Sequence, residues 1–209
     1  MDLSLVSRRS TVLDKTIFYA NFQDRQKGGV FVFKAEILDK SAVERSLIRM
    51  AHEIIEKNNG AEGLMLIGIY RRGVPLAKRL AANIERSEGV KVPIGMLDIT
   101  HYRDDLTMIS DEPMSKKPEF PESPQGKTVV LVDDVLYTGR TARAAMEAVM
   151  KAGRPAAIRL AVLVDRGHRE LPIRGDFVGK NLPTSKTEVV KVCIDEYDSK
   201  TCVELHDTK

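Results

Sequence analysis

Two adjacent acids at the end of an apolar run carry the clearest chemistry in this chain. In Val129–Thr141, VVLVDDVLYTGRT, an apolar strand leads into Asp133 and Asp134 and then into a Thr-Gly-Arg-Thr turn that opens a helix. In open parallel sheets, ligands bind beyond the carboxyl ends of the strands, and this spacing puts the acid pair there. The turn at 137–141 offers backbone N–H groups, two hydroxyls and a helix N-terminus, a set that favours a phosphate dianion. Anion donors beside carboxylates suit a sugar phosphate, with the acids for vicinal hydroxyls and the turn for a 5-phosphate. Acids in that place also stabilise positive charge developing at an anomeric carbon. An acid pair alone would as readily cap the next helix, so the whole pattern carries the reading. Phospho-receiver domains also have an Asp-Asp strand end, but on their first strand. Here only 75 residues (209 minus 134) follow the pair, and a receiver would leave the phosphate turn unexplained.

Three further segments hold candidate groups. Gly68–Gly73, GIYRRG, places Arg71 and Arg72 at the carboxyl end of an apolar run, and arginine binds phosphates through a bidentate fork. Asp98–Leu106, DITHYRDDL, enters a charged stretch and carries His101 and Arg103. His101 is read as a satisfied or exposed histidine rather than a catalytic one. Arg166, His168, Arg169, Arg174 and Lys180 lie close together in sequence, opposed only by Glu170 and Asp176. Arg45 and Arg49 are four apart, and so share one helix face. By charge alone such clusters are ordinary solvated surface. With no aromatic platform among them, nucleic-acid recognition would rest on phosphates and shape.

The elements that must position these groups follow from periodicity. Val43, Leu47, Met50 and Ile54 repeat at helical spacing after Ser41 and Glu44, a capping-box pair, and Asn58-Asn59-Gly60 stops that helix. Apolar runs at 64–69, 92–100, 127–132 and 158–164 read as strands, and 74–86 and 139–151 read as helices. Strands alternating with helices argue for a parallel α/β sheet. Segments 188–194 and 202–205 read as short added strands. Arg103–Pro124 holds four of the nine prolines among many charges, and a loop of that length is a functional lid or disordered.

Composition sets outer limits. The chain has 209 residues, 43% hydrophobic and 30% charged, with a net charge of +3, ordinary for one soluble domain and too weak a balance to signal nucleic-acid binding. No apolar run approaches the roughly 20 residues of a membrane helix. The opening MDLSLVSRRS lacks a basic segment followed by an apolar one, so a cytoplasmic protein is expected. Two cysteines, Cys193 and Cys202, make neither a disulfide framework nor a four-ligand metal site and are expected to be reduced thiols. Residues 1–32 show no persistent period and read as an irregular extension; 33–209 read as the domain. Lys27-Gly28-Gly29 could be encoded by a ribosome-binding sequence and Val32 by an alternative start codon, so a natural start at Val32 is an expectation too.

The Val129–Thr141 segment resembles the phosphoribosyl-pyrophosphate (PRPP) signature of type I phosphoribosyltransferases. VLVDRGHRELP at 162–172 and GKNLPTS at 179–185 narrow the resemblance to the family of bifunctional pyrimidine-operon regulators and uracil phosphoribosyltransferases, over about residues 34 to 207. They argue against a purine transferase, the near competitor. The resemblance implies a type I phosphoribosyltransferase fold: an α/β domain with a mostly parallel central sheet flanked by helices, a small C-terminal hood and a flexible lid. It implies conversion of uracil and PRPP to UMP and pyrophosphate with Mg²⁺, and UMP-dependent binding to leader mRNA of pyrimidine genes by a homodimer or higher homo-oligomer. Catalytic residues would be Asp133, Asp134 and Arg103, with Arg103 closing over pyrophosphate on the lid. PRPP and UMP would meet Arg71, Arg72, Asp133, Asp134, Val135, Leu136, Tyr137, Thr138, Gly139, Arg140 and Thr141, with Arg166 at the base end. RNA would meet Arg45, Arg49, His168, Arg169, Arg174 and Lys180. Where this chain has Arg71, members often carry threonine, and where it has Ile48 they often carry threonine too.

Overall fold

Strand β2 (Leu64–Ile69) is apolar and buried at every position, as a strand with both faces covered has to be. In the computed structural model, which describes residues 31–99 and 119–208, it lies inside a five-stranded sheet of order β3-β2-β4-β5-β6. The partners are β3 (Ile94–Leu97), β4 (Thr128–Leu136), β5 (Ala157–Asp165) and β6 (Phe177–Asn181), and every pairing is parallel. The chain leaves β2 toward β3 on one side and returns to β4 on the other. That reversal puts a crevice between the carboxyl ends of β2 and β4, where such sheets bind ligands.

Two cores cover the sheet faces. Leu64, Leu66, Val130 and Val132 pack against α1 (Lys40–Asn58) and α2 (Gly73–Glu88). Met65, Ile67, Ile69, Val129 and Leu131 pack against the alanine-rich face of α3 (Arg140–Ala152). Each fully buried aliphatic side chain contributes about 1.5–3 kcal/mol, so alternate residues of one strand fasten both layers. Among the described residues, no helix is long and apolar enough to cross a membrane.

A second sheet forms the hood, in the order β1-β8-β7 and antiparallel throughout. Its strands are β1 (Phe31–Leu38), β7 (Glu188–Cys193) and β8 (Cys202–Thr208), and the short helix α4 (Asp195–Asp198) joins the last two. The hood is therefore not purely C-terminal, because β1 supplies one edge. Phe31 and Val32, read from sequence as the end of the extension, pair with Thr208 and Asp207. Residues 1–30, including Lys27-Gly28-Gly29 ahead of the expected start at Val32, lie outside the described residues.

Helix α1 also begins earlier than its sequence suggests. Asp39 is the N-cap and accepts from the Ala42 N–H at 2.7 Å, while the Ser41 hydroxyl donates to Asp39. The stop is as read: Asn59 adopts a left-handed conformation and closes the helix end.

Candidate functional site

The acid pair occupies the last turns of pleat in β4. Asp133 and Asp134 are half-buried, and each accepts from the next backbone N–H: Asp134 N to Asp133 Oδ1 and Val135 N to Asp134 Oδ1, both 2.9 Å. Side chains alternate along a strand. Val132 belongs to the core under α1 and α2 and Leu131 to the core under α3, so Asp134 continues the first face and Asp133 the second. The pair straddles the edge of the sheet at the crevice.

Beyond it, the chain turns through Tyr137 and Thr138 into Gly139, whose φ of 90° is the left-handed region that favours glycine. Gly139 is the N-cap of α3 and no side chain caps that end. The Thr138 hydroxyl accepts from Arg140 N at 3.4 Å. An uncapped helix start presents N–H groups and the positive end of its dipole to an anion. The turn is braced from behind. The Thr138 carbonyl accepts from Glu170 N and Leu171 N, and Arg140 pairs with the Glu170 carboxylate at 2.9 Å.

On the β2 side, the 70–73 loop is pressed against β4. A Cβ on Gly73 would stand 2.2 Å from the Val132 carbonyl oxygen, and one on Gly68 would stand 2.5 Å from Val74 Cα. Only glycine permits that approach, which brings the loop to the residue preceding Asp133. The Tyr70–Arg71 peptide bond is cis. Arg72 does not simply reach into the crevice. Its Nε and Nη2 donate to Asp198 of α4 at 3.2 and 2.8 Å, and the two side chains are 12% and 3% exposed. Burial pulls the Arg72 pKa down, but the Asp198 hydrogen bond and then the charge of Asp134 outweigh it, so the guanidinium stays above its ordinary value. Arg72 thus ties the loop to the hood while lying in the field of Asp134. Arg71 is half-buried beside it.

Arg166 is 1% exposed. Its guanidinium stacks on the Tyr137 ring, 4.2 Å from the centroid, and donates to Thr184 Oγ1, the Ser185 carbonyl and the Glu188 carbonyl. Its side chain is thus held between Tyr137 and the 184–188 segment, just past the carboxyl end of β5. His168 (φ 59°) packs its ring edge on Tyr137 and sets Nε2 2.6 Å from the Thr184 carbonyl. Arg169 is ion-paired to the buried Asp165.

The basic residues divide into separate places. Arg49 donates to the Val178 and Gly179 carbonyls at 2.9 and 2.7 Å and to Glu53. This fastens α1 to β6. Lys180 follows Val178, which packs with the core under α3, by two positions and so continues that face of β6, while Arg45 is exposed on α1. His168 and Arg169 stand instead at the carboxyl end of β5, and Arg174 is exposed on the segment leading to β6. His101 and Arg103, with most of the lid segment, lie outside the described residues. Sequence reasoning missed Asp198, which is 126 residues from its partner Arg72, as well as Glu170 and the Arg166–Tyr137 stack. Nothing local in the sequence marks any of them.

A crevice at the switch point, an acid pair and an uncapped phosphate turn define a phosphoribosyltransferase. The family model described as the phosphoribosyl transferase domain matches residues 34–197. The fold is also that of the Trypanosoma cruzi hypoxanthine phosphoribosyltransferase (TM-score 0.64, 18% identity, 85% of this chain and 98% of that one). The Staphylococcus aureus hypoxanthine phosphoribosyltransferase shares it too (TM-score 0.62, 18% identity, 85% and 93%). At that identity these two likenesses speak for the fold alone. Far nearer in sequence are the bifunctional protein PyrR of Clostridium novyi (59% identical, 83% of this chain and 97% of that one) and that of Thermus thermophilus (60% identical, 83% and 96%). The chain belongs to the bifunctional PyrR family of phosphoribosyltransferases.

Proposed function

We propose that this enzyme transfers the phosphoribosyl group of PRPP to uracil, forming UMP and pyrophosphate, and that with UMP it binds leader mRNA of pyrimidine genes. The observation that carries the catalytic half is the pairing of Asp133 and Asp134 with the uncapped N-terminus of α3, a few residues apart on one side of the crevice. The turn 137–141 takes the 5-phosphate, and the two acids take the ribose 2- and 3-hydroxyls. The bond from the anomeric carbon to pyrophosphate breaks, uracil N1 bonds to that carbon, and the N1 proton is released. No covalent nucleophile is needed. Positioning lowers the barrier, and the acid pair stabilises the cationic character of the sugar.

Because Arg72 is held by Asp198, pyrophosphate falls mainly to Arg71, the loop N–H groups and the uncapped start of α2, with Arg103 closing from the lid. The carboxylate oxygens of the acid pair are hard donors that suit Mg²⁺, which would enter with PRPP and offset the pyrophosphate charge. A cytoplasmic homodimer or higher homo-oligomer suits both activities. RNA binding falls on Arg45 and Arg49 of α1, on Lys180 of β6 and on Arg174, with His168 and Arg169 at the β5 end.

UMP formation from uracil and PRPP with Mg²⁺, run beside hypoxanthine, tests the catalytic half. UMP without inosine monophosphate is the expected result, and the reverse preference would overturn it. UMP-stimulated retention of the leader transcript of a pyrimidine gene tests the regulatory half, and UMP-independent or absent retention would refute it.

A further inference from the structure

Strand β8 is buried on both faces over Cys202–Leu205, and only one face is apolar. Val203 and Leu205 join the main core. The alternate residues on the other face are Cys202, Glu204 and His206. Cys193 of β7 is the direct register partner of Cys202. The two thiols and the Glu204 carboxylate are 0%, 3% and 7% exposed, and one donor atom from each lies within 4.8 Å of the others. None of these groups takes part in the phosphoribosyl chemistry.

We propose that Cys193, Cys202 and Glu204 form a binding site for a soft divalent cation of the Zn²⁺ class, bridging β7 and β8 of the hood. Two sulfur donors select such an ion over Mg²⁺ or Ca²⁺. With Zn–S near 2.3 Å and Zn–O near 2.0–2.2 Å, tetrahedral donors stand roughly 3.5 Å apart. The present spacing therefore closes with side-chain adjustments of about an ångström. Three protein ligands leave a fourth position for water.

The surroundings fit a ligand carboxylate. His206 Nε2 lies 3.0 Å from Glu204 Oε2, while its buried Nδ1 has no partner among the described residues. An imidazole on a ligating carboxylate is the outer-shell contact that orients such ligands. Lys200 now pairs with Glu204 Oε1 and is the cation an incoming metal would displace; its side chain is 54% exposed, so it can leave for solvent. Lys191, opposite Glu204 in the β7–β8 register, is the other neighbouring cation.

The site has a defined mechanical consequence. Cys193 and Cys202 are the two ends of the segment that carries α4. The Ile194 N–H donates to Asp198 Oδ2 at 2.9 Å, and Asp198 holds Arg72. A bound ion would tie the ends of this segment together directly behind the pyrophosphate loop.

The test uses the full chain, stripped with a chelator, reduced with a phosphine and titrated with Cd²⁺ alone. The expected result is one Cd²⁺ per chain with an ultraviolet thiolate-to-metal charge-transfer band, displaced by Zn²⁺. The double variant Cys193→Ser/Cys202→Ser abolishes the band. Glu204→Gln keeps the band but weakens Cd²⁺ binding at least tenfold, and His206→Ala weakens it by about 10–100-fold. A missing band, or one that persists in the double variant, overturns the site. If the double variant does not fold, Glu204→Gln decides, with its fold checked by circular dichroism, and unchanged affinity overturns the site. A mass two hydrogens lighter in protein isolated without air would mark a Cys193–Cys202 disulfide and would overturn it as well.

Discussion

Replacing Asp198 by alanine strips the acceptor from three hydrogen bonds at once: from Arg72 Nε (3.2 Å), Arg72 Nη2 (2.8 Å) and Ile194 N–H (2.9 Å). The pair is almost out of water, with Asp198 at 3% and Arg72 at 12% exposure. Hydrogen bonds to charged groups contribute about 1.5–3 kcal/mol, and removing one partner of a buried ion pair costs about 3–5 kcal/mol. The charge of Asp134 still acts on the orphaned guanidinium and offsets part of the loss, so the lower end applies, about 3 kcal/mol. That lowers the folded-to-unfolded ratio by roughly 100-fold. Urea unfolding followed by circular dichroism reads it directly. With a slope of about 2–3 kcal/mol per molar for a chain of this size, the midpoint falls by about 1–1.5 M. A double-mutant cycle with Arg72→Met should give a coupling of at least about 2 kcal/mol, in the range for contacting residues. Since the clamp fixes the 70–73 loop, KM for PRPP should rise more than turnover falls. A midpoint shift under about 0.3 M, or no coupling, would refute the view that the hood holds the pyrophosphate loop through this pair.

Four other outcomes are expected. Gly73→Ala drives a Cβ to 2.2 Å from the Val132 carbonyl, so it should lose about 1–3 kcal/mol to overpacking and bind PRPP less tightly; wild-type melting and affinity would show that the loop is not pressed on β4. Asp134→Asn keeps the shape and removes the charge, and should lower turnover at least tenfold with little change in melting. Arg49→Ala should lower both stability, by about 1 kcal/mol, and RNA retention, whereas Lys180→Ala should lower RNA retention alone; equal stability of the two variants would separate Arg49 from its carbonyl contacts. The Asp39 carboxyl is held below its ordinary pKa, chiefly by the Ala42 N–H. Its contribution to α1 is thus complete above the unfolded value and is lost as pH falls through the lowered one; acid unfolding of Asp39→Asn should start from lower stability but show a shallower pH dependence there.

What could be read from the sequence was what lies close along it. β2 spans 64–69 as its unbroken apolar run indicates, because a strand covered on both faces has no polar position to blur its ends. Asn59 stops α1 by its own backbone conformation. The acid pair and phosphate turn were legible because a single strand–turn–helix supplies all of their parts. The strands at 31–38 and 177–181 escaped for local reasons. β1 is a hood edge with Phe33 57% exposed, which breaks the expected alternation, and β6 has five residues, too few to show a period. At the start of α1 two capping residues compete two positions apart. Asp39 wins because its carboxylate accepts from both the Ala42 N–H and the Ser41 hydroxyl, whereas Ser41 offers one weaker acceptor. The Arg72–Asp198 clamp and the Arg166 network join distant segments, and no residue pattern encodes such pairings.

The two words that narrow the chain to its family, RGHRELP and GKNLPTS, look along the sequence like a basic patch, and the fold gives them another task. Arg166 is buried under Tyr137 and bonded to 184–188, His168 meets the Thr184 carbonyl, and Arg169 is paired with Asp165. Glu170 holds Arg140 at the mouth of the phosphate turn. Within RGHRELP, then, the charged side chains are held by Tyr137, the 184–188 segment, Asp165 and Arg140, whereas Lys180 of GKNLPTS is exposed. The fold also redistributes the surface charge. Of the basic residues that sequence alone would assign to RNA, Arg174 and Lys180 are exposed just before and on β6, Arg45 is exposed on α1, and Arg49 rivets α1 to β6.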